Sequence, residues 1–349
     1  MSRPTVNDIA KEAGVSLATV DRVMNARPGV RDATVLRVNA AIDRLGYVRD
    51  VAAASLARRR SWRVAYVLPD SPTAFLTALR AAIDAAGELA AHDRAEVATL
   101  TVPALDSTAY ARTLDALLDE GIDGLAIMAP ETPQVRDAIR RVAAAGVPTV
   151  ALVADQPQSA RVRFVGIDNI RAGRTAATLV GRFVGRPRAR VLVLAGSMML
   201  RDQMERRQGF DAVMREAFPA FDVLPTVEMR DDPDAIARLL PAALAAHGPV
   251  DAIYAIGAGN RGLIRVLRGR PGPRPVTVVH ELTPQVRAAL EDGTLDAVIT
   301  QDVGHVARSA LRVLRARAER LPVDPGQEQI RIEILIRENL PPEITPRAN

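Results

Sequence analysis

Cysteine is absent from the 349 residues, which excludes disulfides, thiolate metal sites and cysteine nucleophiles and suits a reducing compartment. Aromatic residues are scarce, at 3% with a single Trp, leaving few rings to stack on a sugar face. No run approaches the roughly 18–20 apolar residues of a membrane helix. The opening MSRPTVNDIAKEAG has no apolar core of the secretory kind, so a soluble cytoplasmic protein is expected, with no membrane association. The four histidines, His92, His247, His280 and His305, have no metal spacing such as HExxH, and no Ser/His nucleophile motif occurs. Neither a metal nor a catalytic centre is expected, and no cofactor.

Hydrophobic residues at 48% are enough to fill real cores, and the length suits two or three domains of roughly 100–200 residues. The charge is unevenly placed. Residues 1–61 hold 11 Lys or Arg against 6 Asp or Glu, whereas the rest of the chain holds 35 of each. A short basic module on a neutral body points to a polyanion partner for that module.

Within this module Thr5-Val-Asn-Asp8 has the spacing of a capping box and opens a short helix that Gly14 can end. Ser16 offers a second N-cap before LATVDRVMN, with Val20 and Val23 at helical spacing. Two short helices around a glycine turn make a helix-turn-helix. A third helix from Asp32, with Val35, Val38, Ile42 and Leu45 on one face, covers the first two, and Gly46 stops it.

The stretch TVNDIAKEAGVSLATVDRVMNARPGVRDATVLRVNAAIDRLGY, residues 5–47, resembles the DNA-binding headpiece of the LacI/GalR (lactose-repressor) family. The resemblance covers the D-[IV]-A-x-x-A-G-V-S core, the T-V-x-R-V-x-N recognition helix and the closing L-G-Y. It implies that the second helix enters the major groove, with Leu17 and Ala18 against base edges or thymine methyls and Arg22 reaching a guanine. Thr5, Ser16, Thr19 and Asn25 become candidate phosphate contacts. Asp21 departs from the family, which usually has a small hydroxyl residue there. It either pairs with Arg22 or Arg27 or accepts from a cytosine amino group. The alanine-rich segment DVAAASLAR is too short to be a stable helix alone. In the family this segment orders on the operator, and Leu56 matches the leucine that wedges into the minor groove.

From Arg63 onward about ten apolar strands alternate with amphipathic helices, the pattern of parallel sheets with helices on both faces, in two lobes. The order of SPTAFL, VGIDNIRAGRTAA, ERRQGF and TLDAVITQD is similar to the body of the same family. The fold expected is a small all-α helix-turn-helix headpiece plus an α/β two-lobed periplasmic-binding-protein-like domain with parallel sheets. Its divisions are a headpiece at 1–49, a hinge at 50–61, a ligand-binding and dimerisation domain at 62–341 and a tail at 342–349. Within the domain, lobe 1 takes about 62–165 plus 285–320 and lobe 2 about 166–284 plus 321–341. Carried over residue by residue, Phe75 walls the effector site, Asp168 and Arg206 bond ligand hydroxyls, Asn260 supplies an amide, and Glu281 replaces the family's aspartate.

One motif points elsewhere. IGAGNRG, residues 256–262, fits G-x-G-x-x-G between an apolar run and a helix start, and Glu281 follows about 20 positions later, as in dinucleotide-binding folds. Such a loop belongs after the first strand of its βαβ half, whereas about seven strands precede this one. The resemblance places it at a ligand-facing strand end instead, where helix N-H groups also suit an anion. The reading is a ligand-responsive regulator rather than an enzyme. It would be a homodimeric repressor on a near-palindromic operator, with a sugar, polyol or sugar acid as effector. The alternatives are an NAD-type enzyme using residues 257–262 and a constitutive DNA-binding protein with no effector.

Overall fold

The computed structural model describes residues 4–24, 28–45, 61–257 and 259–342. Two units separate at Arg60 and Ser61. In the first, α1 (Val6–Ala13) is closed by the Thr5/Asp8 capping box: the Thr5 amide donates to Asp8 Oδ2 at 2.7 Å and the Asp8 amide to Thr5 Oγ1 at 3.4 Å. Gly14 then takes a left-handed φ of 63° and ends the helix. Helix α2 (Leu17–Met24) starts from Ser16, whose Oγ accepts from the Thr19 amide at 3.2 Å. With α3 (Asp32–Leu45) these helices bury Ile9, Ala10, Ala13, Val20, Val38 and Ala41 in one small core.

The second unit is built from two sheets. The first holds β1 (Trp62–Asp70), β2 (Ala95–Pro103), β3 (Gly124–Ile127), β4 (Thr149–Leu152) and β5 (Arg163–Val165) in the order β2-β1-β3-β4-β5, all parallel. The helices between them are α4 (Ala74–Ala91), α5 (Ser107–Glu120) and α6 (Pro133–Ala144). The chain then crosses to α7 (Asn169–Val184), β6 (Ala189–Ala195), α8 (Arg201–Ala217), β7 (Phe221–Val223), β8 (Val227–Glu228) and α9 (Pro233–His247). It continues through β9 (Ala252–Ala255), α10 (Asn260–Gly269), β10 (Val276–His280), α11 (Pro284–Glu291), β11 (Ala297–Thr300), α12 (Val303–Glu319) and β12 (Glu333–Leu335). The second sheet runs β12-β11-β10-β9-β6-β7, with β8 also on β6, and only β12 is antiparallel.

Both faces of each sheet are covered, which is why the strands read as nearly continuous apolar runs. In β1, Val64, Tyr66 and Leu68 point into a core shared by both lobes and lined by α4, α7, α8 and α12, while Ala65 and Val67 face α5 and α6. Leu240, Leu263 and Val286 of α9, α10 and α11 cover the far face of the second sheet. Each such fully buried Val or Leu contributes roughly 1.5–3 kcal/mol.

The return to the first lobe comes later than the 285 expected. Strand β11 pairs with β10, and α11 packs on α10, so residues through 300 lie with the second sheet, and α12 is the segment that packs on α4, β3 and β4. The hinge around residue 56 and the C-terminal residues 343–349 lie outside the described residues.

Candidate functional site

In the first unit the exposed side of α2 carries Leu17, Ala18, Asp21 and Arg22, at positions i, i+1, i+4 and i+5. Val20 is buried on the opposite side, so these four share one outward face. Leu17 is 50% exposed, far more than an apolar side chain in a three-helix core needs. Thr5 and Ser16 are exposed and occupied as caps, and Thr19 shares a 2.9 Å hydrogen bond with the Ser16 hydroxyl. Asn25 and Leu56 lie outside the described residues.

In the second unit, loops after β1–β4 and after β6, β8, β9 and β10 meet around a cleft of about 800 Å³. Ligands of parallel sheets bind at such carboxyl ends. The floor comes from α8, whose inward stripe begins as Asp202, Gln203 and Arg206 and continues as Gly209, Phe210 and Val213. Gln203 Oε1 accepts from the Gly196 and Ser197 amides at 2.6 and 3.2 Å, fixing the turn that starts the helix. Arg206 is 3% exposed. Its Nε donates to Asn169 Oδ1 and its Nη1 to the Ile256 carbonyl, both at 2.9 Å. The remaining Nη2 stands 3.8 Å from Glu281 Oε1, beyond hydrogen-bond length, so its N–H groups are open to a ligand oxygen.

Glu281 follows β10 with a left-handed φ of 68°, a conformation that costs a non-glycine residue energy and persists where surroundings impose it. Its amide donates to the Ile299 carbonyl at 3.0 Å. The preceding His280 is fully buried, with Nε2 and the Tyr254 hydroxyl 2.8 Å apart, and Tyr254 stacks on Phe210 at 4.7 Å between centroids. Burial, then the Arg206 charge, holds the His280 pKa well below its usual value, so the ring is neutral. Burial likewise raises Glu281 to about 7 against the opposing pull of Arg206 and of the neighbouring Gln301 side chain. Asp202 is raised for the same reason, with Arg206 again opposing. Two carboxyl groups of adjustable protonation thus flank one fixed guanidinium.

Phe75, Arg206 and Glu281 line this cleft together. Asp168 does not: it is the N-cap of α7, accepting from the Arg171 amide at 2.9 Å and pairing with Arg171 Nε at 3.2 Å, on a separate depression at the side of the lobes. Asn260 lies in an adjoining recess of about 330 Å³ that shares Phe75, Asp231 and Glu281 with the main cleft. There its Nδ2 donates to the His280 carbonyl at 2.8 Å, and its Oδ1 has no partner. Asp202, Gln203 and Asp231 were not foreseen. The signal for Asp202 and Gln203 was present in α8, where charged and amide residues at 202, 203 and 206 stand in phase with the apolar 210 and 213; Asp231, in the loop after β8, carried none.

The glycine motif has a structural account. A Cβ on Gly257 would lie 2.2 Å from Asp231 Oδ1, and one on Gly262 would lie 2.0 Å from the Pro233 carbonyl oxygen. Gly259 takes a φ of 87° before α10. The loop is therefore shaped around the chain's own Asp231 carboxylate and around close packing of α10 on α9. A pyrophosphate approaching Gly257 would meet that carboxylate. No group of three or more His, Asp or Glu that could hold a metal occurs among the described residues, nor any helix long and apolar enough to cross a membrane.

Residues 5–50 match the lacI family of bacterial regulatory proteins, and residues 64–320 match the periplasmic binding protein domain. The chain belongs to the LacI family. Among curated relatives of this LacI-family chain, the transcriptional regulator CelR of Thermobifida fusca is 28% identical over 348 residues, covering 97% of this chain and 98% of CelR. The maltose regulon regulatory protein MalI of Escherichia coli is 28% identical over 210 residues, 60% of this chain and 59% of MalI. Catabolite control protein A of Priestia megaterium is 39% identical over 80 residues, 23% of this chain and 24% of that protein. The matched regions thus span well under two thirds of the latter two. Among solved structures, a solute-binding protein from Burkholderia graminis in complex with D-arabinose superposes with a TM-score of 0.72 at 19% identity, over 80% of this chain and 96% of that one. A glucose-galactose binding protein from Geobacillus stearothermophilus gives 0.72 at 18%, over 81% and 100%. At these identities the likeness shows the fold.

Proposed function

We propose that this LacI-family regulator is a ligand-responsive repressor, bound as a homodimer to a near-palindromic operator and controlled by a sugar-like or polyol effector in the interlobe cleft. The observation that carries the reading is the Arg206 guanidinium, fixed by Asn169 and Ile256 and flanked by Asp202 and Glu281, in a cleft carried by the same chain as the outward α2 face. Leu17, Ala18 and Arg22 read bases, Thr5, Ser16, Thr19 and Asn25 touch phosphates, and Leu56 is the minor-groove wedge. The relative named for the maltose regulon, and the D-arabinose complex and glucose-galactose binding protein among the structural neighbours, support a sugar-like effector. The Asp231 carboxylate in the glycine loop argues against an NAD enzyme.

The test is fluorescence anisotropy on near-palindromic duplexes enriched from a random pool, with and without a panel of sugars, polyols, sugar acids, nucleosides and NAD. A single sugar-like compound should change operator affinity, and Arg206→Ala should still bind DNA but lose that response. A response confined to NAD, or no response to any compound, sinks the reading.

A further inference from the structure

The two lobes line the cleft with different chemistry. From the first lobe come Pro69, Phe75, Leu76, Leu105, Met128 and Val153, and no charged or amide side chain among the described lining residues. Of the three hydroxyls it brings, Tyr110 donates to the Met128 carbonyl at 3.1 Å and Thr73 Oγ1 accepts from the Leu76 amide at 3.4 Å, which leaves the Ser71 hydroxyl and the Thr73 proton for a ligand. The second lobe supplies the charged floor. Two large apolar side chains that the fold leaves exposed, Leu105 at 52% and Met199 at 73%, both line this cavity. They face space that an apolar ligand surface would fill.

A free monosaccharide carries hydroxyls around its whole edge, and those turned toward the first-lobe wall would outnumber the partners that Ser71 and Thr73 offer there. The volume, about 800 Å³, lies toward the upper end of the roughly 300–1,000 Å³ of drug-sized ligand sites. Charge narrows the head group. Even with the raised Asp202 and Glu281 protonated, Glu228 and Asp231 balance Arg206 and Arg230 in the lining, so the cleft carries no excess positive charge to hold a carboxylate or phosphate. An ammonium only donates, whereas a hydroxyl accepts from Arg206 Nη2 and donates to a neighbouring carboxylate at once.

We propose that this cleft takes an uncharged amphipathic effector, a hydroxyl-bearing head on the Asp202, Arg206 and Glu281 floor joined to an apolar body against the first-lobe wall, as in an aryl glycoside. The proposal rests on the effector-cleft reading above and narrows its ligand class. The head is held by the fixed guanidinium, and the body covers Leu105 and Met199.

Thermal unfolding of the full chain against phenyl glycosides of common hexoses and pentoses, in both anomers, tests it beside the matched free sugars, gluconate and glucose 6-phosphate. At least one phenyl glycoside should give the same midpoint shift as its parent sugar at a concentration about tenfold or more lower, the ratio expected for burying one ring. Leu105→Asn, at a half-exposed position that does not threaten the fold, should bring that ratio close to one. Free sugars that match or exceed their glycosides overturn the proposal, as does preference for the anionic compounds, an unchanged ratio in Leu105→Asn, or silence across the panel. Operator binding separates the two readings. A free sugar that alone shifts the midpoint and releases DNA would leave the repressor reading intact and remove this one. A phenyl glycoside that binds without affecting DNA would do the reverse.

Discussion

Glu281 and Arg206 face each other at 3.8 Å with almost no solvent between their side chains and the core, so the state of the carboxyl group is a property of the fold. Burial raises the Glu281 pKa from 4.5 to about 7, which means the folded chain holds a proton that the unfolded chain has released between those values. Stability contributed by this group is therefore fully present below about pH 4.5 and declines as pH rises toward 7. At 1.36 kcal/mol per unit the loss is about 3 kcal/mol. Glu281→Gln should reduce the slope of stability against pH across that window and make the protein more stable than the parent above it, leaving a residual slope from Asp202, whose shift has the same sign. Denaturant unfolding at a series of pH values checks this, and parallel profiles for the two proteins would contradict it. A second residue prediction concerns Gly257. Its Cβ would strike the Asp231 carboxylate and reach within 3.0 Å of Gln203 Oε1, so Gly257→Ala should lose about 1–3 kcal/mol by overpacking. An alanine variant as stable as the parent would mean that the Asp231 turn gives way freely.

At the scale of elements, the recognition helix α2 carries its own anomaly. Asp21 lies on the same exposed face as Leu17, Ala18 and Arg22, so the side proposed to meet DNA bears a carboxylate among phosphates. Asp21→Ser should tighten operator binding at fixed salt, measured by anisotropy, whereas equal or weaker affinity would show that the carboxylate makes a useful contact. Much of this element's geometry was legible beforehand, because the capping box, the Gly14 turn and the Ser16 cap are local signals. What was not legible has long-range causes. Strands β7 and β12 have three residues each, too few for a periodicity. The assignment of β11 to the second sheet depends on pairing with β10, which no local pattern encodes. Asp168 and Asn169 are adjacent in sequence, yet the helix start turns Asp168 outward as a cap and Asn169 inward onto Arg206. A motif match cannot choose between neighbours that a helix sends opposite ways.

At the scale of the whole ligand-binding unit, the lobes share one core along their inner layers but leave the cleft between their strand ends, and an ion pair joins one lobe to the other. Arg201 at the start of α8 meets Glu131, in the loop after β3, at 2.5 Å and Glu205 on its own helix at 2.8 Å. Arg201 and Glu131 are each under a quarter exposed, which spares the pair part of the screening that makes surface bridges weak. The bridge stabilises the lobe arrangement in which it forms, and any effector that needs this arrangement gains affinity from it, since a ligand's apparent affinity scales with the population of its competent state. A contribution of about 1 kcal/mol corresponds to roughly fivefold. Glu131→Gln should therefore weaken the effector's apparent affinity by about that factor while leaving effector-free operator binding unchanged. Titration of operator release against effector concentration measures it. Tighter effector binding in Glu131→Gln would show instead that the bridge stabilises the arrangement the effector has to displace.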